Sequence, residues 1–232
     1  GSQGGIFGGT LTAVAPDFNR ANLIVPGMRY SLLLTRSIDF DPFAAVLYPA
    51  YPNEIERPLA LSLVQTLWDR ADPNGYAQHM THDNYPNTPK HKVLLHMAFG
   101  DHQVANVTTE IEARTIGARI RLPAVHAGRH TDREPYYGIK PIPRYPWPGS
   151  ALVVWDTGPT RPAGCGAPGA PRCEGTDPPP ITNTAPRIGR DPHGITGRDP
   201  AAQLQFSEFA RIGGAFIDTC GSDPCRAGWA GP

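Results

Sequence analysis

Gly1-Ser2-Gln3-Gly4-Gly5-Ile6-Phe7-Gly8-Gly9 opens the chain. A serine among small residues, followed by an apolar run that stops at Pro16, reads as the second half of a nucleophile elbow. In such a turn the serine sits where a strand passes sharply into a helix, and small neighbours make room for the crowded backbone. Glycine lowers helix stability, so its frequency here needs a packing reason: a helix lying very close to a sheet. An elbow also needs a strand before it, so a separate segment or chain is expected to supply the first strands of the domain. The competing reading makes Gly1-Ser2 a cloning scar left by tag removal.

Outward from this stretch, Ala21 to Val25 is a short strand bounded by Pro26-Gly27. Residues 28 to 90 form a long insertion. Within it Ile55, Leu59, Leu63 and Leu67 recur at steps of four and predict a helix with these residues on one face. Such an insertion either caps a binding cleft or packs on the sheet as an ordinary helical connection. Val93 to Phe99 is a continuous apolar run, as in a strand of a parallel sheet covered on both faces. His96 within it reads as a satisfied core histidine. Gly100-Asp101-His102-Gln103-Val104 then turns the chain outward, and Val107 to Ala118 reads as a helix. Ala151 to Asp156 is another strand. A helix begins at Pro200 with Leu204, Phe206, Phe209 and Ile212 as its apolar face, and a last strand is expected at Ala215 to Thr219. Strand, turn and helix in alternation predict an α/β domain across 1–232. Proline and glycine, 27 and 25 of 232 residues, make 123–149 and 158–199 long loops.

Acidic and basic residues balance at 21 each, without a basic tail or stripe, which argues against nucleic acid as a partner. No run of eighteen apolar residues suggests a membrane span. The four cysteines fall into two close pairs, Cys165 with Cys173 and Cys220 with Cys225. Two local disulfides are the favoured pairing of the three available, and they predict an oxidising, secreted or periplasmic setting, with a lipid anchor in a preceding segment as a variant of it. His79, His82 and His91 are explained by a polar loop without a metal, and no zincin, Walker or dinucleotide motif occurs. No cofactor is expected.

A serine nucleophile needs a base to take its proton and an acid to orient that base. Ser2, Asp101 and His193 follow one another in the order acid after serine and base last. Asp101 stands just after a strand, at the carboxyl edge where open α/β sheets assemble their sites. Asp156 is its rival. His193 hangs on a loop before the last helix, with His126 and His130 as alternatives, and His102 is expected to form a wall of the substrate cleft. The backbone amide of Gln3 would be one oxyanion donor, and a second is expected from outside this chain. On that account the chain alone should be neither well folded nor fully active.

With Ser2-Gln3-Gly4-Gly5, Gly100 to Val104 and Asp191-Pro192-His193 in place, the chain resembles the C-terminal portion of an α/β-hydrolase, similar to secreted bacterial esterases and lipase-like proteins. The resemblance covers most of 1–122 and 190–220, and the proline-rich loops depart from it. It implies Ser2 as nucleophile, Asp101 as acid, His193 as base and Gln3 as amide donor, acting on a small ester or lipid-like substrate through an acyl-enzyme. The alternatives are a secreted, non-catalytic α/β binding or structural domain, and an acyltransferase or peptidase on the same fold.

Overall fold

The computed structural model describes residues 1–162, 165 and 173–231. Its elements run α1 (Gln3–Val14), β1 (Arg20–Ile24), α2 (Tyr30–Leu33), α3 (Asp41–Ala50), α4 (Glu56–Trp68), α5 (Ala77–Thr81), β2 (Lys92–Ala98), α6 (Asn106–Thr115), β3 (Arg119–Ile120), β4 (Ala151–Asp156), α7 (Pro200–Ala210) and β5 (Cys225–Arg226). They form an α/β domain around one parallel sheet of order β1-β2-β4-β3, with β5 beside the far end of β4.

The apolar runs decide the centre of this sheet. β4 is buried throughout and β2 is buried after Lys92. Their side chains alternate between two cores. Val93, Leu95, Met97, Leu152 and Val154 pack with residues of α1, α5 and α6, whereas Leu94, Ala151, Val153 and Trp155 pack with Ala202 and Phe209 of α7 and with Phe216. Two-sided cover is what continuous apolar strands in a parallel sheet require. β1 is the edge strand of the sheet among the described residues.

Helix α1 lies against β1 because glycine permits it. A Cβ on Gly5 would stand 2.7 Å from the Ile24 carbonyl oxygen, and one on Gly9 would stand 2.9 Å from the Pro73 ring. The first would force the helix off the sheet and the second would force it away from Pro73 of the insertion.

The 28–90 segment folds into α2 to α5. The Ile55, Leu59, Leu63 and Leu67 stripe does share one face, but that face looks outward: the four side chains are 85, 63, 66 and 65% exposed. A polar latch fixes the orientation instead. Gln65 accepts from the Ser31 amide and donates to Asp72, while Asp72 also accepts the amides of Arg29 and Tyr30. Gln65 and Leu61 are therefore the residues that α4 buries.

Three further expectations change. Residues 215–219 form no strand. Phe216 makes one antiparallel bridge with Trp147, and Asp218 turns aside to pair with the buried guanidinium of Arg121 at 3.1 and 3.2 Å. On α7 the buried residues are Ala202, Gln205 and Phe209, whereas Leu204 and Ile212 are exposed. His96 is a core residue, 4.2 Å from the Phe206 ring, but its ring nitrogens make no well-formed hydrogen bond among the described residues, and burial, only partly offset by the Gln205 side chain, pushes its pKa down to about 3. The two local disulfides are present, Cys165–Cys173 and Cys220–Cys225. Between 158 and 199 the described elements are isolated bridges and a single 3-10 turn, Thr196–Arg198. No helix among the described residues is long and apolar enough to cross a membrane.

Glu112 of α6 is fully buried, and neither of its carboxyl oxygens has a hydrogen-bond partner among the described residues. Burial, with the charge of Asp72 adding to it, pushes its pKa up from 4.5 to about 8. The folded protein thus holds a proton that the unfolded chain releases, so stability falls as pH rises between these two values. Glu112→Gln should raise the melting temperature over wild type near the upper value and leave little difference at about pH 4, the gap being worth roughly a few kcal/mol. Thermal melts across pH measure this; a gap that does not grow with pH contradicts it.

Candidate active site

The parallel register brings the carboxyl ends of β1 and β2 together, with Ile24 opposite His96. Ser2 reaches this edge from one side. Its amide donates to the Ile24 carbonyl at 3.0 Å, and its own carbonyl accepts the amides of Gly5 and Ile6 at 2.7 and 3.0 Å, which starts α1. Between these contacts Ser2 adopts φ 55° and ψ −131°, a backbone conformation that residues with a Cβ rarely take.

Asp101 reaches the same edge from β2. Gly100, at φ 77°, reverses the chain, and its amide donates to the Asn106 side chain at 2.8 Å. One oxygen of Asp101 accepts the amides of Gln103 and Val104 at 2.8 and 3.0 Å, so the carboxylate is fixed before it meets any partner on another segment.

His193 comes from the loop ahead of α7. Its Nδ1 lies 3.0 and 2.9 Å from the two oxygens of Asp101, and its Nε2 lies 2.7 Å from the Ser2 hydroxyl. The side chains of His193 and Asp101 are only 9 and 1% exposed. A carboxylate only accepts, so the proton of a neutral imidazole resides on Nδ1 and donates to Asp101. That leaves the Nε2 lone pair to accept from the Ser2 hydroxyl. Burial pulls the pKa of His193 down, but the hydrogen bond and charge of Asp101, with the charges of Asp191 and Asp39, outweigh burial and hold it above the ordinary value.

The other candidates are engaged elsewhere. Asp156 is fully buried and takes a two-pronged ion pair from Arg129 at 2.9 and 3.0 Å. His126 lies edge-on to Trp229, and His130 packs against Phe99 and Tyr136. His102 is buried, with its ring 3.4 Å from the Thr176 hydroxyl. Its carbonyl accepts the Ile38 amide at 2.9 Å and ties the insertion to the Asp101 turn. His79 pairs with Asp83, and His91 lies against the carbonyls of Met80 and Ala15. Among the described residues no group of three or more His, Cys, Asp or Glu is placed to hold a metal.

The Gln3 amide stands at the first position of α1, where a helix leaves N–H groups without intrahelical acceptors. The Gln3 side chain donates to the Tyr30 hydroxyl at 2.8 Å. Neither Tyr30 nor the nearby Asp39 carries a sequence signal that would have placed it here, since each arrives through the folding of the insertion. Asp191 did stand in the string Asp191-Pro192-His193, but nothing in that string assigned it partners.

The protein matches no family model, no curated protein and no solved structure.

In Asp101→Asn the imidazole loses the charge that outweighs its burial. NMR titration of His193 should therefore give a pKa above the ordinary histidine value in wild type and a lower one in the variant. Equal values in the two proteins contradict this account of the electrostatics.

Proposed function

We propose that this protein is a serine hydrolase of α/β-hydrolase fold that cleaves carboxylic esters through an acyl-enzyme. The reading rests on one observation: three side chains from distant parts of the chain meet as Ser2 Oγ, His193 and Asp101 in successive hydrogen bonds of 2.7 and 2.9 Å. The positive φ of Ser2 at a helix start supports it, because an elbow needs that strained turn.

In the proposed reaction His193 Nε2 takes the Ser2 proton as Oγ attacks the ester carbonyl. Asp101 holds the imidazole by Nδ1 and stabilises its positive charge. The Gln3 amide donates to the oxyanion, and His193 passes the proton to the departing alcohol oxygen, leaving acyl-Ser2. Water, deprotonated by His193, attacks this ester, and collapse returns the proton to Ser2 as the carboxylic acid leaves. The base works only when neutral, so its raised pKa makes activity fall on acidification from a higher pH than an ordinary histidine would give.

The substrate class proposed is a small or lipid-like ester. A polypeptide segment is proposed to add a parallel strand beside β1 and to donate the second oxyanion amide. Edge strand β1, with exposed Phe7, Leu11 and Val14 on α1 and Leu204 on α7, supports that partner. The two disulfides support a secreted or periplasmic setting.

A different observation favours a non-catalytic binding domain. A cavity of about 540 Å³ is walled by Phe40, Asp41, Tyr48, Arg57, Asn183 and Arg187 among others, and Ser2, Asp101 and His193 are absent from its wall. In that reading the three polar side chains only satisfy one another.

Fluorophosphonate labelling of the full chain separates the two. The hydrolase reading predicts a stoichiometric adduct on Ser2 and loss of esterase activity by a factor of about 10⁴ or more in Ser2→Ala. A folded protein that takes no adduct overturns it. Product analysis with competing alcohols and amide substrates distinguishes a hydrolase from an acyltransferase or peptidase.

A further inference from the structure

We propose that Asp191 is a positioning residue of this site, its carboxylate clasping the loop that carries His193 to the turn that carries Asp101. The proposal rests on the hydrolase reading for its kinetic consequences, but its geometry stands apart from it.

One oxygen of Asp191 accepts the amides of His193 at 3.1 Å and of His102 at 3.3 Å, and the other accepts from Nε2 of Gln103 at 2.7 Å. The first of these bonds is local and closes a turn within the loop. The other two cross to residues 102 and 103, which flank Asp101 in the sequence and follow β2. The acid and the base are 92 residues apart, so their alignment depends on bonds of this crossing kind.

Few other restraints hold the loop. Pro192 has no amide to donate. The nearest backbone bonds are Arg190 to the Gly175 carbonyl at 2.7 Å and Ile195 to the Pro192 carbonyl at 2.9 Å. Regular structure resumes only at Thr196. A base must sit within hydrogen-bond reach of its nucleophile, and a misplacement of about 1 Å can cost on the order of 100-fold in rate.

Asp191 also contributes charge. The carboxylates acting on His193 are Asp101, Asp191 and Asp39; beside them His102 feels Asp191, Asp101 and the guanidinium of Arg187. Asp191 therefore favours the imidazolium that forms when Ser2 is deprotonated. Geometry and charge separate by substitution. In Asp191→Asn the side-chain oxygen still accepts the two amides, and Gln103 can turn its amide to answer the new NH₂, so the clasp persists without its charge. Asp191→Ala removes both.

The test uses both variants in the full chain, with amide hydrogen exchange at 102 and 193, NMR titration of the His193 ring, and kcat and KM for an ester across pH. Asp191→Ala should speed exchange at both amides by about tenfold or more and lower kcat by on the order of 100-fold with KM little changed. Asp191→Asn should restore slow exchange and most of kcat, while the His193 titration and the acid limb of kcat/KM move to lower pH. Unchanged exchange in Asp191→Ala overturns the clasp. If that variant does not fold, Gln103→Ala removes the 2.7 Å crossing bond instead, and unchanged exchange at 193 there overturns the clasp. Should wild type lack esterase activity and take no adduct on Ser2, the hydrolase reading fails while exchange and titration still decide the role of Asp191.

Discussion

Parallel pairing of β1, β2 and β4 is the constraint on which the rest of the structure depends. It places the carboxyl ends of the strands on one edge, so whatever follows β2 and whatever abuts the end of β1 must meet there. Asp101 follows β2 directly, and Ser2 is held to the last residue of β1 by a backbone hydrogen bond. Gly5 lets α1 lie against that same carbonyl. His193 alone reaches the site without a regular element to carry it.

Side chains with strong electrostatic demands hold the irregular segments. Arg121, almost wholly buried, pairs with Asp218 and donates to the carbonyls of Pro123, Gly221 and Asp223, which fastens the Cys220–Cys225 loop to the chain that follows β3. Arg129 bridges Asp156 to the carbonyls of Gly158 and Thr176 and covers the Phe99 ring. A buried guanidinium is costly unless all its donors are used, and these long loops supply the acceptors. Proline-rich chain without helices or strands is thus held to the sheet by charge-assisted bonds as well as by the apolar packing of Ala124, Ile139 and Ile142.

The parts of the fold that were legible in the sequence are those whose signal is local. The apolar runs of β2 and β4 fit covered strands, the glycines around Ser2 implied close approach, and two short cysteine spacings favoured two staples. Asp101 was legible because it follows such a strand, and His193 by its place in chain order. The rest depends on contacts between distant residues. Nothing local says that Gln65 will turn inward to Asp72 and push the leucine stripe of α4 outward. Nor does it say that Arg121 will draw Asp218 out of a strand, or that His102 will turn into the interior while its carbonyl anchors the insertion. Tyr30 and Asp39 come near the site only through that insertion.

In the proposed hydrolase Ser2 forms a covalent bond with its substrate while His193 moves the proton. The most direct measurement is a rapid-mixing experiment with an activated aryl ester, followed by acid quench and peptide mass spectrometry. A burst of phenol near one equivalent per active protein and an acyl group on Ser2 are expected, both abolished in His193→Ala. Steady release of phenol without a burst, or an acyl group on another residue, would contradict the proposal.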